Sequence, residues 1–162
     1  MSRLDSFIAR MHAQRDCLNF LKRAIDAQPG PLLEVGLGNG RTYDHLRELF
    51  PGRDIYVFER KVAAHPDCIP PPERLFLGDA HEAIPRAARQ LGATAALIHT
   101  DLGTGDHAAN MAMGEWLGPA LDLLAGSGGY VLANQELNVA RWRRLPEPPG
   151  VPEGRYFLYR VA

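Results

Sequence analysis

The chain has 162 residues, 46% hydrophobic and 23% charged, with 18 Lys and Arg against 19 Asp and Glu. That length fits a single domain with its own core, and a formal charge of −1 offers no field to hold nucleic acid or an anionic membrane by charge alone. Cys17 and Cys68 form neither a disulfide framework nor a zinc spacing, no apolar run approaches the roughly 18 residues of a membrane span, and Met1 to Ile8 lacks an unbroken apolar leader stretch. The expectation is one domain over residues 1–162 in a reducing, cytoplasmic compartment.

The elements follow in chain order. Leu4, Phe7, Ile8, Met11, Leu18, Leu21 and Ile25 recur at three- and four-residue steps, interrupted at Gln14, and predict an amphipathic helix over about 2–28. Ser2 caps it, with Asp5 placed to reach back, and Pro29-Gly30-Pro31 stops it. Arg3, Arg10, Arg15 and Lys22 read as its solvated face. Leu32–Val35 is a first strand, Tyr43–Phe50 a helix and Ile55–Phe58 a second strand. Pro66, Pro70, Pro71 and Pro72 allow only short helices in the next link. Leu75–Leu77 is a third strand, followed by a helix from about His81 to Leu91 that Gly92 ends. Ala95–His99 is a fourth strand, roughly Ala108–Leu124 a helix, and Tyr130–Ala133 a fifth strand.

Strands alternating with helices at this spacing predict an α/β fold: a doubly wound, mostly parallel sheet with helices on both faces. Too few residues follow Gln135 for two more such units, so Arg155–Val161 is expected to insert as an antiparallel last strand after a loop holding Pro146, Pro148, Pro149 and Pro152. Val139–Leu145 fits helix or strand.

The most informative stretch is Glu34-Val35-Gly36-Leu37-Gly38-Asn39-Gly40, between a strand and a helix. Glycines serve where a chain turns at positive φ and lets a ligand touch its backbone, and the helix behind points free N–H groups at that ligand. A dinucleotide fingerprint would need glycine where Arg41 stands, and the chain has no Gly-Lys-Ser/Thr of a P-loop. The pattern instead is E-x-G-x-G-x-G, and here the chain resembles the class I S-adenosylmethionine-dependent methyltransferases. The resemblance covers about Leu32 to Asn134. It implies a Rossmann-like fold, S-adenosyl-L-methionine as cofactor, and a glycine turn (Gly36, Leu37, Gly38, Asn39, Gly40) wrapped around the cofactor's methionine part, with Glu34 facing its cationic region.

Three further acids end successive strands. Glu59 closes the second strand, where a carboxylate can accept both ribose hydroxyls of an adenosine, with Arg60 beside it. Gly78-Asp79-Ala80 closes the third; by resemblance Asp79 meets the adenine amino group and the next backbone N–H a ring nitrogen, while by position Asp79 also caps the following helix. Asp101 ends the fourth, over the place where donor methyl and acceptor would meet. Two roles stay open for it: a catalytic one, taking the acceptor's proton or orienting it, and an anchor for the cofactor's amino group. Gly103 and Gly105 leave the next loop free to meet substrate.

Weaker constellations complete the reading. His99, Asp101, Asp106 and His107 cluster in sequence, but without zinc spacing, and Asn134-Gln135 stands where catechol-type relatives carry a charged Asp-Asn pair that helps bind Mg²⁺, so no metal is expected. His45 and His81 lie near the presumed cleft as candidate bases, with capping or surface roles as the alternative. Arg141, Trp142, Arg143, Arg144, Arg155, Tyr156 and Arg160 form a basic, aromatic tail that reads as a solvated strand face before a nucleic-acid surface. The expected acceptor is a small molecule, with no nucleic acid or membrane partner; because the cofactor sheet consumes nearly the whole chain, a second copy could help close the cleft. Two alternatives to a methyltransferase are a non-catalytic subunit or sensor that binds the same cofactor and, disfavoured by Arg41, a nicotinamide-dependent oxidoreductase.

Overall fold

The computed structural model describes residues 1–103 and 106–162. Helix α1 (Arg3–Asp26) leads into β1 (Leu32–Val35), α2 (Arg41–Leu49) and β2 (Ile55–Glu59). Two single 3-10 turns, Pro66–Cys68 and Pro72–Arg74, occupy the proline-rich link. Then come β3 (Leu75–Leu77), α3 (Ala80–Leu91), β4 (Ala95–Thr100), α4 (His107–Asp122), β5 (Ala125–Ala133), β6 (Trp142–Leu145) and β7 (Phe157–Val161).

All seven strands join one sheet in the order β3-β2-β1-β4-β5-β7-β6. Pairing is parallel from β3 to β5, and β7 runs antiparallel to both β5 and β6. The expected doubly wound α/β sheet with an antiparallel last strand is therefore the observed one. The chain reverses its direction of travel across the sheet between β1 and β4. In open α/β sheets that reversal leaves a crevice beyond the carboxyl ends of the strands.

Each face of the sheet has its own core. Leu32, Leu97, Tyr130 and Leu132 pack with Leu18, Leu21 and Ile25 of α1 and Leu46 of α2. Leu33, Val35, Ile98 and Val131 pack with Ile84 of α3 and Leu117 and Leu121 of α4. The alternation of side chains along a strand divides them this way, and β1 and β4, covered on both faces, are buried at every position.

Ser2 and Asp5 form the expected reciprocal cap on α1. The apolar stripe of that helix behaves differently in its two halves. Leu18, Leu21 and Ile25 are buried, whereas Leu4, Phe7 and Ile8 are exposed, because the first turns run past the sheet rather than over it. Two strands also depart from expectation. β5 starts at Ala125, five residues before the predicted Tyr130; Gly126, Gly128 and Gly129 hide the strand from an apolar pattern, and a Cβ at Gly129 would stand 2.6 Å from the Ala95 carbonyl oxygen. The ambiguous segment before the proline loop is β6, pinned by Trp142, whose indole N–H donates to Asp122 Oδ1 at 2.7 Å. Trp142 and Tyr156 are buried, so neither aromatic ring of that basic tail lies open for stacking on a base.

Gly40 caps α2 at φ 90°, and a Cβ there would stand 2.4 Å from Cys68 Cβ. Gly38, at φ 52°, faces open space. Gly40→Ala is expected to cost about 3 kcal/mol, from left-handed strain plus overpacking, and Gly38→Ala only about 1 kcal/mol. Urea unfolding of the two variants checks the difference.

Candidate active site

The site forms where four strands end. Gly36, Gly38 and Gly40 all sit at positive φ, so the chain leaves β1, turns back and enters α2 within five residues. Gly40 supplies no side-chain cap, which leaves the first N–H groups of α2 open toward the crevice. Glu59, at the end of β2, holds this turn in place. Its Oε2 accepts the backbone N–H groups of Leu37 at 2.9 Å and Gly38 at 3.1 Å, and its Oε1 accepts those of Arg60 and Lys61.

Two hollows flank that turn and share Gly36, Glu59 and Leu102. One, of about 330 Å³, is lined by Glu34, Leu37, Gly38, Asn39 and Asp101 together with Arg10, Gln14 and Arg41. The other, of about 310 Å³, is lined by Phe58, Arg60, Gly78, Asp79, Ala80 and His81, with Met113 and Trp116 of α4 opposite. Of the residues expected to hold the cofactor, Gly40 lines neither hollow; it packs under the turn against Cys68 and Ala64. Asp79 caps α3 as its position implied, its Oδ1 accepting the His81 backbone N–H at 2.9 Å. The His81 ring stacks on Trp116 at 3.8 Å, and His45 pairs with Asn19 Oδ1 at 2.9 Å.

A polar chain behind the first hollow is the main departure from the sequence reading. Glu34 and His99 are register partners on β1 and β4, both fully buried, and His99 Nδ1 lies 2.7 Å from Glu34 Oε2. The Gln14 amide nitrogen lies 3.2 Å from His99 Nε2 and donates to Asp101 Oδ2, also at 3.2 Å. Arg10 Nη1 donates to both oxygens of Asp101, at 3.1 and 3.0 Å. Arg10 is therefore not part of a solvated face, and Gln14 is not a gap in the apolar stripe. Gln14 lies one helical turn after Arg10, so α1 presents both to the end of β4. The one sequence signal for this network was the polar residue interrupting a buried stripe.

Glu34 does not stand free toward a ligand. Burial pushes its carboxyl above the usual carboxylate range, against the pull of His99. Burial alone would lower the His99 imidazole, but the Glu34 carboxylate, by charge and hydrogen bond, reverses this and holds it above its ordinary value. Among the described residues, no group of three His, Cys, Asp or Glu is placed to hold a metal. Gly105 and the His107 side chain lie outside the described part of the chain.

The two hollows fit an elongated molecule with a charged end and a flat end. The Arg10–Asp101 ion pair offers both signs to a zwitterionic amino acid; Glu59 sits at the waist; Phe58, Met113 and Trp116 wall the far hollow. Gly38 leaves its backbone bare to that space. This arrangement, on this sheet order, is that of the class I S-adenosylmethionine-dependent methyltransferases. The chain matches the S-adenosyl-L-methionine methyltransferase family over residues 1–161, and it is a member of that family. An S-adenosyl-L-methionine methyl transferase of Silicibacter pomeroyi DSS-3 is 43% identical, with 100% of this chain and 99% of that chain covered and a TM-score of 0.95. Human methyltransferase-like protein 13, solved with S-adenosylhomocysteine (SAH), shares the fold at 17% identity and a TM-score of 0.56, with 97% of this chain and 80% of that chain covered. No curated protein matches the chain.

Because folding raises the His99 pKa above 6.5, the stability that His99 contributes is complete below that pH and is lost as pH rises through the folded value. Glu34→Gln removes the carboxylate and leaves burial to depress the imidazole. Urea unfolding from about pH 6 to 9 is expected to show stability falling with pH in the wild type, and level or rising in Glu34→Gln.

Proposed function

We propose that this enzyme transfers the methyl group of S-adenosyl-L-methionine to a small-molecule nucleophile, with Asp101 and Arg10 holding the cofactor's amino-acid end and Glu59 its ribose. The observation that carries this reading is the pair of hollows joined at Gly36, Glu59 and Leu102, with an ion pair in one and aromatic walls in the other.

When bound, the cofactor would supply an electrophilic methyl group on its sulfonium, the sulfur keeping the bonding electron pair as the methyl passes to the acceptor's lone pair. The chain's own residues position the partners. Glu59 fixes the glycine turn through Leu37 and Gly38 and presents its carboxylate at the waist of the cleft. Asp79 Oδ2, with no hydrogen bond among the described residues, would accept from the exocyclic amino group of the base, and Gly78 and Ala80 would let the base approach the backbone. Asp101, already carrying Arg10 and Gln14, acts as an anchor rather than a proton acceptor. Most of the acceleration then comes from alignment of donor, methyl and acceptor. No helix among the described residues is long and apolar enough to cross a membrane. The free thiols of Cys17 and Cys68 suit the reducing, cytoplasmic setting proposed for the enzyme.

Isothermal titration with SAH tests the assignment. The wild type is expected to bind. Glu59→Gln, which turns an amide N–H₂ toward backbone N–H donors, is expected to bind about tenfold or more weakly. Absence of binding by the wild type, or equal binding by both proteins, contradicts it.

A further inference from the structure

Gln14 stands between the buried Glu34–His99 pair and Asp101, and its side chain touches both. Its amide nitrogen lies 3.2 Å from His99 Nε2 and 3.2 Å from Asp101 Oδ2. His99 is fully buried and Gln14 is 6% exposed, so water has little room to replace either contact. A carboxamide nitrogen only donates and a carboxylate only accepts, so Asp101 fixes the orientation of the amide. His99 Nε2 must then accept, and the imidazole proton sits on Nδ1, 2.7 Å from Glu34 Oε2. The polarity of the whole chain follows. His99 donates to Glu34, while Gln14 gives one hydrogen to His99 and the other to Asp101.

A second proton on His99 breaks this order. Nε2–H would point at the Gln14 N–H₂, two donors facing each other at 3.2 Å. The amide can answer by turning its oxygen to His99, but the same turn brings that oxygen against the Asp101 carboxylate. Either way Asp101 loses the Gln14 donor and is left to Arg10. The charged and titratable groups facing His99 are Glu34 on β1, Asp101 beyond its own strand with Arg10 of α1 behind it, and the Tyr156 phenol from the segment before β7. Burial keeps that phenol neutral, and β5 brings only the uncharged Leu132 to this register.

We infer that Gln14 is a positioning residue that ties cofactor binding to the protonation of His99: it holds Asp101 only while His99 Nε2 carries no proton, so cofactor binding sends that proton to solvent. The inference rests on the reading above that places Asp101 at the cofactor's amino group. Folding favours the protonated imidazole and cofactor binding the neutral one, so stability and affinity answer pH in opposite directions.

Isothermal titration of SAH from about pH 6 to 9, in paired buffers of different ionisation enthalpy, counts the protons exchanged. The wild type is expected to release part of a proton per SAH bound as His99 titrates, and to bind about tenfold more tightly above that titration than below it. Gln14→Met keeps the volume but has no amide. It is expected to exchange no proton beyond the ligand's own, and to bind about tenfold more weakly than the wild type at the alkaline end, with the gap closing to about twofold at the acid end. A wild type that exchanges no more protons than Gln14→Met overturns the proposal, as does an affinity gap that is the same at every pH, which a merely structural role would give. Nitrogen NMR of the imidazole in the ligand-free wild type needs neither variant nor cofactor: above its titration His99 is expected as the Nδ1–H tautomer, and the Nε2–H tautomer overturns the proposal. A wild type that binds no SAH at any pH overturns the cofactor reading and this proposal with it, whereas binding without proton release overturns this proposal alone.

Discussion

The buried carboxylate–imidazole contact between Glu34 and His99 is the constraint on which the cleft depends. A charge removed from water on the central strands needs a partner at hydrogen-bond distance, and removing that partner costs several times more than breaking a surface pair. The parallel register of β1 and β4 supplies the partner, placing the two residues side by side at the reversal point of the sheet. The ends of these same strands carry the functional loops: β1 runs into the glycine turn two residues after Glu34, and β4 into Asp101 two residues after His99. Any slip of this pair would move both loops together.

The contact also reaches outward. His99 meets Gln14, Gln14 meets Asp101, and Asp101 meets Arg10, so a core interaction fixes the angle at which α1 crosses the mouth of the site. That explains why α1 buries only its later apolar residues: its first half is spent on the cleft rather than on the sheet. Glu59 does for the glycine turn what His99 does for Glu34. One carboxylate gathers four backbone N–H groups from two loops, so the turn and the end of β2 hold each other. The site is therefore assembled largely from backbone, ordered by acids at strand ends.

Much of this was legible in the chain. Short apolar runs between amphipathic helices dictate a parallel sheet, and acids at strand ends announce the side on which it binds. Leu32–Val35 and Leu75–Leu77 carry their boundaries in composition alone. The glycine turn was legible because its spacing excludes the dinucleotide- and phosphate-binding loops. What stayed hidden is tertiary. The early start of β5 hides behind glycines whose value lies in close approach to β4, and the role of β6 depends on Trp142 finding Asp122. Arg10 and Gln14 gain their meaning only when a helix more than eighty residues away in sequence is laid across β4. Trp116 and Met113 carry no site signal of their own and meet the far hollow only because α4 is folded over it.

A crystal structure of the wild-type protein with SAH bound tests the central assignment most directly. The cleft predicts the amino-acid end at the Arg10–Asp101 pair, the ribose hydroxyls at Glu59, and the adenine between Phe58 and Trp116 beside Asp79. A ligand that occupies only one hollow, or that leaves Glu59 without a contact to the ribose, would contradict it.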